Sequence, residues 1–361
     1  MDRHDNVGRQ LTRQLPLLLG SLEKRCSWTS VAVAAIVMGL VSWITLRLAQ
    51  RVQRHRSPPP PPPPPDASAE PSKPRPIEPL HDFQWQDVAP RKLRPWKPVY
   101  NITMALTSDA PSDLIIVDGN YLDRVNLRRT LMDRHGGTVH GCLSGGVDAV
   151  REVYAYLLEE YLPTRYPTMF ELSHSGGTFR NLVTGREFPS SMADSSDDTT
   201  TAAAAALRII GETVEDDMFL LRQTPDGHRT EAFVCCFPAG FDGSEKLGKL
   251  LVDVHGPVPS YDKIGASMER FFSRLEVGKS VKRVNTHARM ELQTLMRLPR
   301  TRAILFSFKT YLYPLSEIKA EGLGPDMADA IEGLHSGNAP GMGAYKGSGR
   351  WSGKVCEYLR S

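Results

Sequence analysis

Cysteine is scarce, with five residues in 361: Cys26, Cys142, Cys235, Cys236 and Cys356. No Cys-x-x-Cys pair occurs, and Cys235 and Cys236 are neighbours in an apolar, strand-prone run whose successive side chains point to opposite faces. This argues against a disulfide framework and fits a reducing compartment better than a secretory one. Zinc spacing is missing as well, because His135 and His140 flank two glycines without a third ligand. There is no Gly-x-Ser-x-Gly elbow, and Gly341, Gly343, Gly347 and Gly349 follow no strand and lead to no Gly-Lys-Ser/Thr, which argues against a nucleotide-cradling loop. An excess of one charge is also lacking. Forty-four basic residues against 41 acidic ones leave a net +3, much of it in the N-terminal arm, so there is no electrostatic case for nucleic acid.

What is present first is a charge-free run, Ser27 to Leu46 (SWTSVAVAAIVMGLVSWITL), with Trp28 and Trp43 near its ends. Roughly 20 apolar residues at 1.5 Å each cross a bilayer core, so the run predicts one transmembrane helix. Pro58 to Pro65 is an unbroken proline run within a stretch that would extend as a stalk. The expected organisation is an arm over 1–26, a transmembrane helix over 27–47, a basic and proline-rich linker over 48–82 and a folded domain over 83–361.

Within that domain, Asp113 to Asp118 reads as a brief strand, and apolar spacing predicts helices over Tyr121–His135 and Val147–Leu162. An alanine-rich helix is expected from Ala202 to about Val214. Met218–Arg222 and Thr230–Phe237 flank Pro225-Asp226-Gly227 as a hairpin, and Arg289–Arg297 and Ala303–Tyr313 alternate as two antiparallel strands. The chain is organised around Glu231 to Leu275. There, His255 follows an amphipathic segment and precedes the rigid Gly256-Pro257-Val258-Pro259 turn. A pre-ordered imidazole suits a metal or haem ligand; the other reading is a histidine satisfied at a helix end. Lys282 and Arg283 are either carboxylate partners or surface charges.

Several segments, in order, resemble one family: RPWKPVYNITMAL, DGNYLDRVNLRRTLM, EEYLPTRYPTMFEL, AFVCCFPAGFD, EKLGKLLVDVHGPVPSY, SMERFFSRLEVGKSVKRVN and MELQTLMRLPRTRAILFSFKTYLYPL. They are similar to the haem-dependent oxidative N-demethylases, the haem-bearing alpha subunit of a dimethylamine monooxygenase, in its fungal membrane-anchored branch. The resemblance implies an α+β fold, a PAS-like antiparallel sheet with flanking helices, here behind one transmembrane helix and a proline-rich stalk. It implies a haem b on which oxygen is reductively activated to oxidise an amine, with electrons from an external flavin or iron–sulfur reductase. Carried onto this chain, it makes His255 the iron ligand, Phe271 and Phe272 pocket wall, and Lys282 and Arg283 propionate partners. Glu291, Gln293, Lys309 and Tyr311 become the polar groups that face a small-molecule amine or bound oxygen, which would make them the catalytic residues.

After Asn285 the family pattern continues with a further strand and loop, whereas Thr286 to Arg289 bridges directly here. An inaccurate gene model, a tolerated deletion or a lost haem pocket would each explain it. The leading expectation is a single-pass protein of the endoplasmic reticulum, its domain facing the cytosol, that oxidises a small methylamine or a larger natural-product amine. The alternatives are a haem-binding sensor or carrier without turnover, a degenerate member that binds no haem, and a lumenal domain glycosylated at the sequon Asn101-Ile102-Thr103.

Overall fold

The computed structural model describes residues 76–361 apart from 174, 176, 193–198 and 286–288. The larger sheet has the order β1-β8-β9-β10-β6-β7-β2. Its strands are β1 (Thr107–Asp109), β2 (His140–Cys142), β6 (Asp217–Thr224), β7 (Gly227–Val234), β8 (Ser280–Asn285), β9 (Arg289–Arg297) and β10 (Ile304–Leu312). A small sheet joins β3 (Phe170–Leu172), β4 (Thr178–Asn181) and β5 (Arg186–Pro189), and neighbouring strands run antiparallel throughout.

The two long strands expected from alternation form as read. β9 and β10 pair from Arg289↔Leu312 to Arg297↔Ile304, closed by Leu298 N–H donating to Ala303 O at 2.9 Å. Because side chains alternate, this register decides which residues share a face. Phe308 lies opposite Gln293 and Phe306 opposite Leu295; on the other face, Lys309 lies opposite Leu292 and Tyr311 opposite Met290. β8 pairs with β1 on one side and β9 on the other, so the short link after Asn285 leaves no gap in the sheet.

Three helices cover one sheet face: α1 (Tyr121–His135), α2 (Val147–Ala155, which runs on through a π-helical stretch to Arg165) and α3 (Thr199–Thr213). Ala203, Ala206, Leu207 and Ile210 of α3 are buried in one cluster with Leu220, Ala232, Val234 and Leu305 of the sheet. Small side chains let α3 approach closely. A Cβ on Gly211 would stand 2.8 Å from Val234 Cγ2, so glycine is required there. Ile77 and Leu80 also pack on this core, which extends the folded body ahead of residue 83. Expected as a strand, Leu114 to Val117 is buried without ladder bonds, because side chains take over its backbone. Tyr166 Oη donates to Ile115 O at 2.8 Å, and Lys309 Nζ donates to Ile116 O at 2.9 Å.

The same face encloses charge. Lys309 Nζ lies 2.7 Å from Asp118 and 2.6 Å from Glu215, and Arg128 lies 2.5 Å from Asp217, all of them buried. Removing one member of such a pair costs about 3–5 kcal/mol, because the partner is left charged in the interior. Asp216 has no cation of its own. Its Oδ1 accepts from Ser307 Oγ at 3.3 Å, and its Oδ2 has no partner among the described residues.

The chain is thus α+β with antiparallel sheets, and two expectations are corrected. Among the described residues no helix is long and apolar enough to cross a membrane. Residues 27–47, on which the transmembrane reading falls, lie outside the described residues, as does the proline run. The fold class therefore stands without the membrane helix, and the single-pass localisation with it is withdrawn.

Burial pushes the Asp216 carboxyl up from 3.8 to about 7, with Lys309 opposing and Glu215 reinforcing the rise. A carboxyl raised on folding contributes stability that is present below its unfolded value and lost as pH rises through the folded one. Asp216→Asn is therefore expected to melt higher than the wild type at pH 8, by roughly 1–3 kcal/mol, and to match it near pH 4. Thermal unfolding across that range is the measurement.

Candidate functional site

The other sheet face is not filled by a helical layer in the same way. It is met by α4 (Leu251–Val254), α5 (Asp262–Arg274) and the arm 92–106. At the strand ends stand the C-terminal helices α6 (Leu315–Ala320), α7 (Gly324–Glu332), α8 (Met342–Tyr345) and α9 (Ser352–Arg360); α6, α7 and α9 share a buried cluster with Met290, Leu292 and Tyr311 of the opposite face, and α7 and α8 also reach the cavity. A cavity of about 700 Å³ lies among sheet, α4, α5, arm, α7 and α8, within the range of pockets that enclose small molecules and cofactors. Phe219, Phe306 and Phe308 line its sheet side, with Phe219 stacked on Phe308 at 6.3 Å.

His255 closes α4 and lines this cavity. Its Nδ1 is 2.9 Å from Leu251 O, and its ring is stacked on Tyr261 at 4.8 Å with an interplanar angle of 5°. A carbonyl accepts only, so Nδ1 carries the proton and Nε2 keeps the lone pair. Burial lowers the pKa below 6.5, which favours the neutral, ligating form. The helix stops here because Gly256 and Pro257 follow; the turn holds the ring in place through the 2.8 Å bond from Val258 N to His255 O.

Four polar side chains on adjacent strands form a chain facing the cavity. Arg283 Nε donates to Gln293 Oε1 at 2.6 Å, Gln293 Nε2 donates to Glu291 Oε2 at 2.8 Å, and Asn285 Nδ2 reaches the same oxygen at 3.3 Å. The register dictates this, since Arg283 pairs with Gln293 and Asn285 with Glu291. Burial lowers the Arg283 pKa, with Tyr100 and Glu291 acting against the shift. No carboxylate lies within ion-pair distance of Arg283 among the described residues. The arrangement therefore presents an imidazole lone pair, a guanidinium suited to a carboxylate, and a buried carboxylate, all on the wall of one aromatic-sided cavity.

The structure brings together His255, Phe272, Arg283, Glu291 and Gln293 on the cavity wall, which Asn101 also lines, and places Phe271, Lys282, Lys309 and Tyr311 elsewhere. Phe271 is half-buried beside Phe272, its ring 6.4 Å away, but it does not line the cavity. Lys282 points to the opposite face, 2.5 Å from Asp109 and 3.5 Å from Asp113. Lys309 is held in the buried charge network, and Tyr311 packs with Leu292 and Met327 on the helical face. Asn101 is exposed on the arm, where its Oδ1 accepts from Asn338 N at 3.1 Å. Sequence reading missed Phe306 and Phe308, which share β10 with Lys309 and have the opposite parity. It also missed Trp96, Tyr100, Tyr261 and Lys346 on the cavity wall. Only the β10 residues carried a usable signal, in their alternation; the others come from segments brought in by tertiary packing.

Among the described residues no group of three or more His, Cys, Asp and Glu gathers to hold a metal ion. A metal ligated by His255 would take its other ligands from outside the chain, as a haem iron does from its macrocycle. A pocket protein of α+β class with a single histidine donor is thus defined. The family model for haem-dependent oxidative N-demethylase, alpha subunit-like, matches residues 105–286 and 284–356, and the chain belongs to that family. The two matched stretches overlap at residues 284–286, at the end of β8.

Replacing Gln293 by leucine leaves Arg283 Nε and Glu291 Oε2 without their shared partner. Gln293→Leu is expected to lower stability by about 1–3 kcal/mol, the cost of unmet buried polar groups, read as a fall in the urea midpoint at unchanged slope.

Proposed function

We propose that the chain is a haem-dependent oxidoreductase that oxidatively demethylates an amine, with haem b in the cavity. The observation that carries this reading is the His255 ring on the cavity wall, with Nδ1 fixed on Leu251 O and Nε2 left for iron. Arg283, an arginine without a carboxylate partner among the described residues, fits one propionate, and Phe272 and Tyr261 supply apolar and stacking contact beside the ligand. When bound, the haem would supply the one-electron and oxygen chemistry that no side chain can perform.

The chain's own groups prepare the substrate for it. Leu251 O fixes the tautomer and orientation of His255, so no proton has to leave Nε2 before it ligates. Glu291 presents a carboxylate to a protonated amine, and Gln293 orients that carboxylate by holding Oε2 and leaving Oε1 to the cavity. The aromatic side made by Phe219, Phe306 and Phe308 excludes water and offers ring faces to N-methyl groups. Electrons come from a separate flavin or iron–sulfur reductase. A partner subunit also follows from the family's description as an alpha subunit.

Absorption spectra of the oxidised and reduced chain are the test. The wild type is expected to show a Soret band that shifts on reduction and is lost in His255→Ala, while Phe271→Leu keeps it. A wild-type chain with no Soret band after reconstitution with haem removes the reading. With a band present, failure to release aldehyde from any N-methylated amine in the presence of a reductase leaves a haem sensor or carrier instead.

A further inference from the structure

The cavity wall belongs to two separate hydrophobic clusters. At the His255 end, Tyr261, Met268, Phe272 and Leu295 come from one; at the other end, Trp96, Met327 and Ile331 come from a second, to which Met290 also belongs. Leu295 and Met290 are both on β9, and five residues of strand span roughly 17 Å. Glu291 and Gln293 lie on the strand between them. Met290 adjoins Glu291 but turns to the opposite face, so the cavity meets the second core around the end of β9, through Trp96, Met327 and Ile331.

That far end is lined mainly by apolar side chains, with Lys92, Arg94, Lys97 and Lys346 as its cations. Lys92 and Arg94 reach it but are both paired with Glu321, at 2.7 and 2.8 Å. Lys346, near the Tyr100 ring, is pushed down to about 7 by burial. One group is unmet. Trp96 is 7% exposed, and its Nε1 is buried with no hydrogen-bond partner among the described residues, although an indole N–H normally finds an acceptor when it leaves water. Arg94 lies over the Trp96 ring at 5.3 Å and, having no acceptor atom, cannot satisfy it. Trp96 also precedes residue 105, where the family match begins, so family membership alone does not define this part of the wall.

We propose that the far end seats an extended apolar group of the ligand, bearing a carbonyl, ether or hydroxyl oxygen that accepts from Trp96 Nε1. Taken with the function proposed above, on which this part rests, the substrate class is an N-methylated amine with a long apolar body, its nitrogen at Glu291 and its body running to Ile331.

The test uses the full chain with its Soret band recorded alongside. Dimethylamine, N,N-dimethylhexylamine, N,N-dimethyldodecylamine and 12-(dimethylamino)dodecan-1-ol are titrated by intrinsic tryptophan fluorescence and calorimetry. Affinity is expected to rise about fourfold per methylene buried, until the chain reaches the far wall. Ile331→Trp is expected to cut that rise short. Trp96→Phe is expected to weaken the hydroxyl-bearing probe about tenfold and the plain alkyl probe less than twofold. Equal affinity for the short and long amines by the unsubstituted chain, with the Soret band intact, overturns the proposal whatever the variants do. An equal loss of both long probes in Trp96→Phe overturns the role of the indole N–H. Length-dependent binding without a Soret band supports the apolar site and overturns the haem reading alone, so the two ideas fail separately.

Discussion

One ammonium group fixes the geometry of the whole sheet. Lys309, on the second of the long paired strands, holds Asp118 ahead of α1, Glu215 between α3 and β6, and the backbone of Ile116. Arg128 repeats the arrangement one layer out, binding Asp217 and the carbonyls of Gly211 and Glu215. These contacts commit one face of the sheet to α1–α3. With that face closed, the alternate side chains of the same strands are left to face the cavity. The charge network thus serves the site indirectly, by deciding which face remains open.

The cavity side is built from weaker and more local devices. A four-residue helix ends at His255, a glycine–proline turn stops it, and a single carbonyl sets the tautomer of the ring. The polar chain from Arg283 to Glu291 depends on register alone, since a shift of one residue in β8 would turn Arg283 away from Gln293 and bring Lys282 in. That makes the short link between β8 and β9 consequential. Its length determines the register on which the chain of hydrogen bonds depends.

Much of this was legible in the sequence. Alternation located β9 and β10, apolar spacing located α1 and α2, and the glycine–proline turn after His255 marked the one histidine on a constrained backbone. Family resemblance carried the choice of His255, Arg283, Glu291 and Gln293, which the structure gathers on one wall. The errors have physical causes. On β10 the polar residues, Lys309 and Tyr311, were assigned to the site and the phenylalanines were passed over, whereas buried carboxylates, visible only in three dimensions, draw Lys309 to the other face. Lys282 was misassigned for the same reason, through Asp109. The brief strand over 113–118 failed because tyrosine hydroxyls and an ammonium compete for its backbone. Trp96 and Lys346 carried no local signal at all; they line one cavity from about 250 residues apart in the chain.

That separation has a consequence for how the protein is made. The cavity wall draws on residues from Lys92 to Trp351, almost the full span of the folded body. During synthesis the His255 side can take shape early, but the far wall waits for α7 and α8 to leave the ribosome. Contacts this distant in sequence form late, because their loop closure must be met before they contribute. A bound group would therefore be enclosed after translation, with the C-terminal helices closing over it last.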